Sequence, residues 1–260
     1  MSWVQAQPVD LPNYVLELDG DGDHIELPAS MFVNHSLITV EGWVKWEGFQ
    51  DYSRFFDFVV GGREYALYNL FKGPTLGMHR SRSDGFDRVE VENIFEAGSW
   101  VHIAAVCGPE VLKVYLNGVL VPESFEAHSF SSRNIDKVED RNLLGYSNWK
   151  AEVSPSDREL DGQMDEVRVW LGERTELEIN DNLNHRLSGS ESGLLGLWNF
   201  DDPLQPMFDA TGNGHHGSLK EDASIVPASL PDSSSLSRLG KVLQLDGNDS
   251  YIDLPTHIFR

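Results

Sequence analysis

Three carboxylates at alternating positions are the densest group of potential metal ligands in the sequence. Asp19, Asp21 and Asp23 lie in the segment LDGDGDH, interleaved with Gly20 and Gly22. Calcium takes six to eight oxygen ligands, and glycine lets the backbone bend so that carboxylate and carbonyl oxygens can converge. The spacing therefore fits a loop that binds a hard cation. It fits an exposed hairpin turn equally well, because Asp and Gly are typical turn residues.

A second group of residues could bind a sugar. Neutral sugars are bound when their apolar faces stack on Trp or Tyr and their hydroxyls bond to polar side chains. Trp149 lies in the polar segment GYSNWKAEVSPSDREL, which is typical of a surface loop. The other candidates lie on short strands or loops and are Tyr52, Arg54, His79 and Arg80. These residues could equally be ordinary polar surface residues of loops that bind no ligand.

Four other tryptophans have a different setting. Trp43, Trp100, Trp170 and Trp198 lie among apolar neighbours in segments that read as strands. We therefore expect them to contribute to the core rather than to a ligand site.

Composition excludes several functional classes. The 260 residues include 42 acidic and 20 basic side chains, which gives a formal net charge of −22. Such a surface repels phosphate backbones and anionic lipids, so nucleic-acid binding is not expected. No stretch approaches the ~18 apolar residues of a membrane span, and the N-terminal residues lack the pattern of a signal peptide. Cys107 has no partner for a disulfide, and its apolar neighbours predict a small buried residue.

The elements that must position these residues are mainly strands. Apolar and polar residues alternate over short runs that are separated by Gly, Pro, Asn and Asp, which predicts about a dozen strands and hence a β-sandwich or barrel. The strands are expected at 14–18, 24–26, 37–46, 54–59, 65–71, 75–80, 100–107, 111–116, 119–121, 143–145, 162–170 and 194–200. Asn117-Gly118 predicts a two-residue type I′ hairpin, since both residues tolerate positive φ.

One amphipathic helix is expected among these strands. Thr175 and Glu178 form a capping-box pattern, and Ile179 and Leu183 recur at a helical spacing before Gly189. The pattern places His185 and Arg186 in the last turn, where positive charge suits the helix dipole. This explanation of His185 is structural rather than catalytic.

Several motifs resemble the laminin-G-like jelly-roll family of the concanavalin A-like lectin/glucanase superfamily. They are LDGDGDHIELP, TVEGWVKW, GSWVHIAAV, KVYLNGVLV, GQMDEVRVW followed by the capped helix, and DATGNGHHG. The resemblance implies an all-β fold, a two-sheet antiparallel jelly-roll β-sandwich with one short amphipathic helix, and six or seven strands in each sheet. It also implies a concave ligand face, an extracellular or cell-surface location, and often one calcium ion. The ion would be held by Asp19 or Asp21 together with Asp165.

Because the superfamily includes glucanases, catalysis has to be considered. Related glucanases carry E-x-D-x-E on one strand, and retaining hydrolysis needs two carboxyls about 5 Å apart. The counterpart here has Gln163 and Val167 on either side of Asp165, and the adjacent acids Asp165 and Glu166 should point to opposite faces. We therefore expect no enzyme. A carboxyl pair contributed by distant loops stays open.

The end of the chain repeats its beginning. Residues 15–32 and 242–259 align without a gap at an offset of 227 residues, with nine of eighteen positions identical. We therefore expect a module at 13–223, a linker at 224–241, and at 242–260 the first strand of a second, truncated repeat. The chain would then be part of a longer tandem protein.

These observations favour a non-catalytic recognition module that binds a glycan or a protein partner, with calcium as an expected cofactor. The alternative is a structural spacer or sensory segment without a small ligand, and glycoside hydrolysis is a third reading. Two or more exposed aromatic residues on one sheet face would favour binding over the spacer. Other domains of the same longer chain are further expected partners, while membrane insertion is not expected.

Overall fold

The computed structural model describes residues 13–70, 72–82, 85–92, 96–122, 125–126, 141–149 and 156–231. The predicted second repeat at 242–260 lies outside these residues. Within the described part of the chain, no helix combines the length and apolarity that a membrane crossing requires.

Sixteen strands and one α-helix occur in the described residues. In chain order the strands are β1 (Tyr14–Asp19), β2 (His24–Leu27), β3 (Ile38–Trp46), β4 (Arg54–Val60), β5 (Arg63–Leu70), β6 (Thr75–Arg82), β7 (Gly85–Val91), β8 (Val101–Cys107), β9 (Leu112–Leu116), β10 (Val119–Leu120), β11 (Phe125–Glu126), β12 (Asn142–Leu144), β13 (Asp161–Leu171), β14 (Leu194–Trp198), β15 (Ser218–Lys220) and β16 (Ser224–Pro227). The helix α1 (Glu176–Leu183) lies between β13 and β14.

The strands form two antiparallel sheets of eight strands each, rather than six or seven. Sheet A has the order β10-β9-β8-β3-β13-β1-β16, and β14 pairs with the second half of β13. Sheet B has the order β11-β7-β6-β5-β4-β12-β2-β15. The all-β sandwich is therefore confirmed, and all twelve predicted strands occur. The additional strands β7, β11, β15 and β16 raise the number in each sheet.

The linker expectation needs one correction. Residues 224–227, which fall in the predicted linker, form β16. This strand pairs antiparallel with β1, with Tyr14 opposite Pro227 and Glu17 opposite Ser224. The strand was missed because SIVP is short and ends in proline, which is tolerated only at a sheet edge. The module therefore extends at least to Pro227.

The core lies between the inner faces of the two sheets. Side chains from both sheets meet there, among them Val40 and Trp198 of sheet A and Phe56 and Leu67 of sheet B. Cys107 belongs to this core, as expected, and burial raises the pKa of its thiol. Trp43, Trp170 and Trp198 are also buried, as predicted. Trp100 differs, because it precedes β8 and is half-buried, with the Lys45 ammonium 5.6 Å from its ring centroid.

The Asn117-Gly118 hairpin is confirmed. Asn117 has φ 47° and Gly118 has φ 81°, and β9 pairs with β10 on either side of them. Positive φ at both central residues defines the type I′ turn that matches the twist of a two-stranded ribbon.

Helix α1 has the predicted capping box but ends earlier than expected. The Thr175 side chain accepts from the Glu178 amide, and the Glu178 carboxylate accepts from the Thr175 amide. The helix ends at Leu183, so His185 and Arg186 lie beyond its last turn. The Arg168 guanidinium of β13 donates to the carbonyls of Asn182 and His185, and these bonds satisfy the helix end where the chain turns away.

Candidate functional site

The outer face of sheet B carries most of the predicted ligand residues. Alternation along β5 points Ala66, Tyr68 and Leu70 away from the core, where they form a separate apolar cluster against Tyr52. Gly77 of β6 lies opposite Tyr68. A Cβ at Gly77 would lie 2.8 Å from Tyr68 Cε2, so the glycine leaves the room in which the Tyr68 ring lies across the sheet.

Four rings form a row on this face. The ring centroids of Tyr52 and Tyr68 are 5.8 Å apart, those of Tyr68 and His79 are 5.3 Å apart, and those of His79 and Trp149 are 5.1 Å apart. Tyr68 and His79 are buried, whereas Tyr52 and Trp149 at the ends are half-buried. The structure therefore brings the predicted residues Tyr52, His79 and Trp149 together, with their accessible ring surface at the two ends of the row.

Arg54 joins this row through a buried ion-pair network. Its guanidinium is 1% exposed and forms salt bridges of 2.9 Å to Asp57 and 2.9 Å to Asp157. It also lies 5.0 Å from the Tyr68 ring centroid and donates to the Tyr52 carbonyl at 2.7 Å. Because Arg54 is buried, it supports the row from below instead of offering its charge to a ligand in solvent.

Glu64 is a third buried acid under the row, after Asp57 and Asp157. Its Oε2 accepts from Trp149 Nε1 at 2.6 Å and from Ser81 Oγ at 2.7 Å, and it lies 3.6 Å from His79 Nε2. These bonds fix the Trp149 indole at the edge of the face. Glu64 therefore orients the ring that could stack on a ligand.

The segment Ser147–Trp149 is fastened to this network at every residue. Ser147 Oγ donates to Asp157 at 2.7 Å, and the Asn148 amide and side chain both donate to the Asp57 carboxylate at 3.0 Å. With the Trp149 bond to Glu64, three consecutive side chains are each tied to a different buried acid. Such a loop is held in place before any ligand arrives, which reduces the entropic cost of binding.

Burial shifts the titration of two groups in this network in opposite directions. It lowers the pKa of His79 to about 3, to which the Arg54 charge also contributes, and His79 is therefore neutral near pH 7. Burial and the neighbouring Glu64 raise the pKa of Asp57 to about 7. The first shift removes stability as pH falls below the ordinary histidine pKa of about 6.5, whereas the second removes stability as pH rises from about 4 towards 7.

The Asp57 contribution can be isolated with Asp57→Asn. The wild type should lose about 1–3 kcal/mol of unfolding free energy relative to this variant between pH 5 and pH 7.5, because only the wild type must ionise the buried acid. Urea denaturation at a series of pH values measures the difference, in which groups that do not interact with Asp57 cancel. Parallel profiles for the two proteins would contradict this account of Asp57.

Arg80 is a predicted ligand residue that the structure places elsewhere. It follows His79 on β6 and therefore points to the opposite face, where it contacts Asp87 Oδ2 at 3.0 Å and the Gly108 carbonyl at 2.8 Å. Arg80 thus connects sheet B to the loop after β8. It is a structural residue rather than part of the ring row.

The predicted metal ligands are only partly brought together. Asp19, Asp23 and Asp222 each offer a carboxylate oxygen, and these oxygens lie within 4.8 Å of one another. The Asp21 carboxylate is outside this group. The backbone amide of Asp21 donates to Asp19 Oδ1 at 2.8 Å. The structure therefore keeps Asp19 and Asp23 and adds Asp222 from the turn between β15 and β16.

Asp165 does not belong with these acids. The residue opposite Asp19 on β13 is Asp161, and Asp165 lies four positions further along the strand, or about 13 Å. Its carboxylate accepts from Asn13 Nδ2 at 2.8 Å and from the Glu166 amide at 2.7 Å. The expectation that Asp165 completes a calcium site with Asp19 or Asp21 is therefore corrected.

The neighbouring acid Glu166 lies in a β-bulge. Its φ is 49°, and the pairing of β13 with β3 shifts between Asp165 and Arg168. The bulge interrupts the alternation, so Glu166 reaches the Arg168 guanidinium at 2.9 Å instead of pointing to the face opposite Asp165. Burial raises the pKa of both acids. Arg168, which Glu166 binds, donates to the carbonyls of Asn182 and His185, so Glu166 supports the contact of α1 with sheet A through this guanidinium.

Sequence reasoning missed several residues of these two sites. Asp57 and Glu64 are acids inside predicted strands, and Asp157 and Asn148 lie near Trp149 in the polar loop. The available signal was the acid in RFFDFVV, since a carboxylate within a strand of apolar residues has to find a buried partner. Asp222 gave no local signal, because it reaches the turn between β1 and β2 only through the pairing of β15 with β2 and of β16 with β1.

Comparisons with known proteins agree with this architecture. A family model described as the concanavalin A-like lectin/glucanases superfamily, laminin-G-like group, matches residues 19–180. The chain belongs to this laminin-G-like family. No curated protein matches the chain.

One solved structure shares this fold, and two others are similar at lower TM-scores. A candidate carbohydrate-binding protein of Bacteroides ovatus has a TM-score of 0.60 and 18% identity, over 85% of this chain and 62% of that one. The sialyllactose-bound CBM40 domain of a Ruminococcus gnavus sialidase has a TM-score of 0.48 and 16% identity, over 64% of this chain and 95% of that domain. Domains LG4-5 of mouse laminin α1 have a TM-score of 0.46 and 13% identity, over 66% of this chain and 46% of theirs. The chain thus spans less than two thirds of the Bacteroides ovatus protein.

Proposed function

We propose that this laminin-G-like module is a non-catalytic recognition module that binds a neutral glycan on the outer face of sheet B. The ring row carries the proposal, because its two end residues, Tyr52 and Trp149, are only half-buried, whereas the two rings between them are buried. Sugars stack on such rings, and a rigid platform binds them at low entropic cost. The net charge of −22 disfavours anionic glycans.

The outer face of sheet A is less suitable for a ligand. Helix α1 lies against it, with Ile179 in an apolar cluster with Ala104 and Tyr115, and with Trp43 Nε1 donating to the Leu183 carbonyl at 3.3 Å. The side chains on this face are thereby covered by the chain itself. Sheet B is the face where aromatic surface remains accessible.

The state of the acids supports binding rather than hydrolysis. Asp57 is bound by Arg54 and Asn148, and Glu64 is bound by Ser81 and Trp149. Both carboxylates are buried beneath the rings, at most 3% exposed. Acids in this position orient the platform and do not face the solvent side on which a glycosidic bond would lie. The carbohydrate binding named for the Bacteroides ovatus protein agrees with this proposal.

The glycan site is tested by removing the rings one at a time. Trp149→Ala and Tyr52→Ala should each weaken binding to a neutral-glycan array by about tenfold or more, since an aromatic platform supplies much of the contact area of a sugar site. Trp100→Ala is the matched control, because this tryptophan is also half-buried but lies outside sheet B. If the wild type binds no glycan, the structural spacer is favoured. If all three variants give equal glycan-binding signals on the array, the ring row is excluded as the site.

We further propose that Asp19, Asp23 and Asp222 hold a calcium ion. Asp23 is 2% exposed and accepts from the Asp19 amide through Oδ2, yet its Oδ1 is buried without a hydrogen-bond partner. Burial and the neighbouring carboxylates of Asp19 and Asp222 raise the pKa of Asp23 to about 6, so a cation beside these acids would stabilise their charged forms. Three carboxylate oxygens form a hard donor set that calcium prefers, and backbone carbonyls and water can complete it.

Calcium at this position would connect the two sheets. Asp19 and Asp23 flank the turn from β1 in sheet A to β2 in sheet B, and Asp222 lies in the turn from β15 in sheet B to β16 in sheet A. A cation held between these turns would restrain one end of the sandwich. Its proposed role is therefore structural.

Calcium should raise the melting temperature of chelator-treated protein. At a free concentration of about 100 Kd the stabilisation is about 2.7 kcal/mol, or roughly 5–10 °C for a domain of this size. Asp222→Asn and Asp23→Asn should reduce the shift strongly, whereas Asp21→Asn should keep most of it. Differential scanning calorimetry with and without calcium measures these shifts. No calcium response in the wild type, or an equal response in all three variants, would remove the proposed site.

A further inference from the structure

A surface depression of roughly 420 Å³ lies outside both sites described above. It is lined by Gln205, Met207, Phe208, His216, Gly217 and Leu219. These residues come from the loop after β14 and from the start of β15, which is the edge strand of sheet B. Strands β12 and β2 separate β15 from β4, so the depression is distinct from the ring row.

An exposed aromatic platform forms one wall of this depression. The rings of Phe208 and His216 are stacked, with centroids 4.9 Å apart and an interplanar angle of 22°. Phe208 is 47% exposed, so part of its side chain is accessible to solvent at this wall. The Gly217 amide donates to the Met207 carbonyl at 3.0 Å and joins the two sides of the depression. A Cβ at Gly217 would lie 2.6 Å from Met207 Cε, so the glycine allows this close approach.

The platform is held by the fully buried carboxylate of Asp209. This carboxylate accepts from the Leu197 amide at 3.2 Å, the Thr211 hydroxyl at 2.7 Å and the His215 amide at 3.0 Å. The segment DATGNGHHG is therefore an ordered loop. It fixes the position of Phe208 and His216 before any ligand arrives.

The same loop also fixes the hydrogen-bonding role of His216. The Asp209 amide donates to His216 Nδ1 at 3.0 Å, so Nδ1 is an acceptor and the proton of the neutral ring is on Nε2. His216 is exposed, and its Nε2–H is thus an oriented donor beside the Phe208 ring. Gln205, whose amide nitrogen donates to Asp202 at 3.2 Å, lines the same depression.

We propose that this depression binds a sugar residue of a neutral oligosaccharide as a second glycan site. A sugar ring has an apolar face that stacks on an aromatic side chain, and its hydroxyls accept from an oriented N–H. Phe208 provides the stacking surface and His216 provides the donor. The net charge of −22 again selects against anionic sugars. The inference rests on the proposed glycan binding, to which it adds a separate location.

The test is a titration of the isotope-labelled full chain with cellobiose, lactose and maltose, followed by NMR. At least one of these disaccharides should shift resonances of residues 205–219, and Phe208→Ala should weaken this binding about tenfold. Phe208→Tyr should retain it, because the ring is kept. Leu204→Ala is the matched control, since Leu204 is 90% exposed in the same loop but does not line the depression.

The outcomes separate this site from the ring row. Shifts at Trp149 alone would keep the proposed function and overturn the second site, whereas shifts at Phe208 alone would keep the second site and remove the ring row. No shift with any of the three sugars would overturn both. Equal sugar affinities of Phe208→Ala and Leu204→Ala would also overturn the second site. The same holds if the chain self-associates through Phe208, so that Phe208→Ala abolishes the self-association, and these residues do not respond to any sugar.

Discussion

Replacing Arg54 with methionine should lower the free energy of unfolding by about 3–5 kcal/mol, because the change removes the only cation that bridges Asp57 and Asp157 in the described network. Both acids would remain buried without their partner. The free-energy cost of desolvating these two carboxylates is offset by their attraction to the guanidinium, and this attraction is lost in the variant. The loss should be visible as a large decrease in the urea midpoint.

Two further variants make this result specific. Arg54→Lys keeps the charge but cannot bond both acids with one planar group. Its free energy of unfolding should therefore lie between those of the wild type and the methionine variant. Lys72→Met is the surface control, since its ammonium is 70% exposed and 4.0 Å from Asp51, and it should change stability by less than 1 kcal/mol. An Arg54→Met protein as stable as the Lys72 control would show that the network does not stabilise the sheet.

Arg168→Met should have an effect of similar size on the other sheet. Arg168 bonds Glu166 at 2.9 Å and lies 3.4 Å from Glu41, and it also donates to the two carbonyls at the end of α1. Its removal leaves two buried acids and the helix end without these partners, so we expect a loss of about 3–5 kcal/mol. The loss should be accompanied by faster amide exchange in α1.

Arg174→Met is the matched control for this variant. Arg174 also lies beside α1, where it pairs with the partly exposed Glu178 at 3.1 Å and stacks 4.1 Å from the Trp170 ring centroid. It should cost about 1 kcal/mol, since a solvent-accessible ion pair contributes little. If Arg168→Met leaves amide exchange in α1 as slow as the control does, the docking of the helix depends on apolar contacts instead.

Local patterns predicted the elements of this fold well. The Asn117-Gly118 hairpin and the Thr175 capping box follow from φ preferences and from hydrogen bonds between near neighbours, which a sequence displays directly. The bulge at Glu166 could not be predicted in this way, because the alternation of apolar and polar residues gives no sign of an inserted residue. The end of α1 was misplaced for a related reason, since Arg168 is distant in sequence from the carbonyls that it satisfies.

The candidate sites were predictable only where residue type alone was informative. Tyr52, His79 and Trp149 were identified from their chemistry, and the pairing of β4, β5 and β6 brings them together with the Trp149 loop. Arg80 is a polar candidate like His79, but it is the next residue on β6 and therefore lies on the other face of the sheet. Asp57, Glu64 and Asp222 take part only through contacts that the fold creates, so neither motif nor spacing marked them.

The central claim is that a neutral glycan stacks on the outer face of sheet B. A crystal structure of the module with the best-binding neutral oligosaccharide from the array tests this claim most directly. We predict sugar density against the ring of Trp149 or Tyr52, with Glu64, His79 and Arg54 unmoved beneath it. A sugar bound elsewhere, with no contact to either ring, would contradict the account.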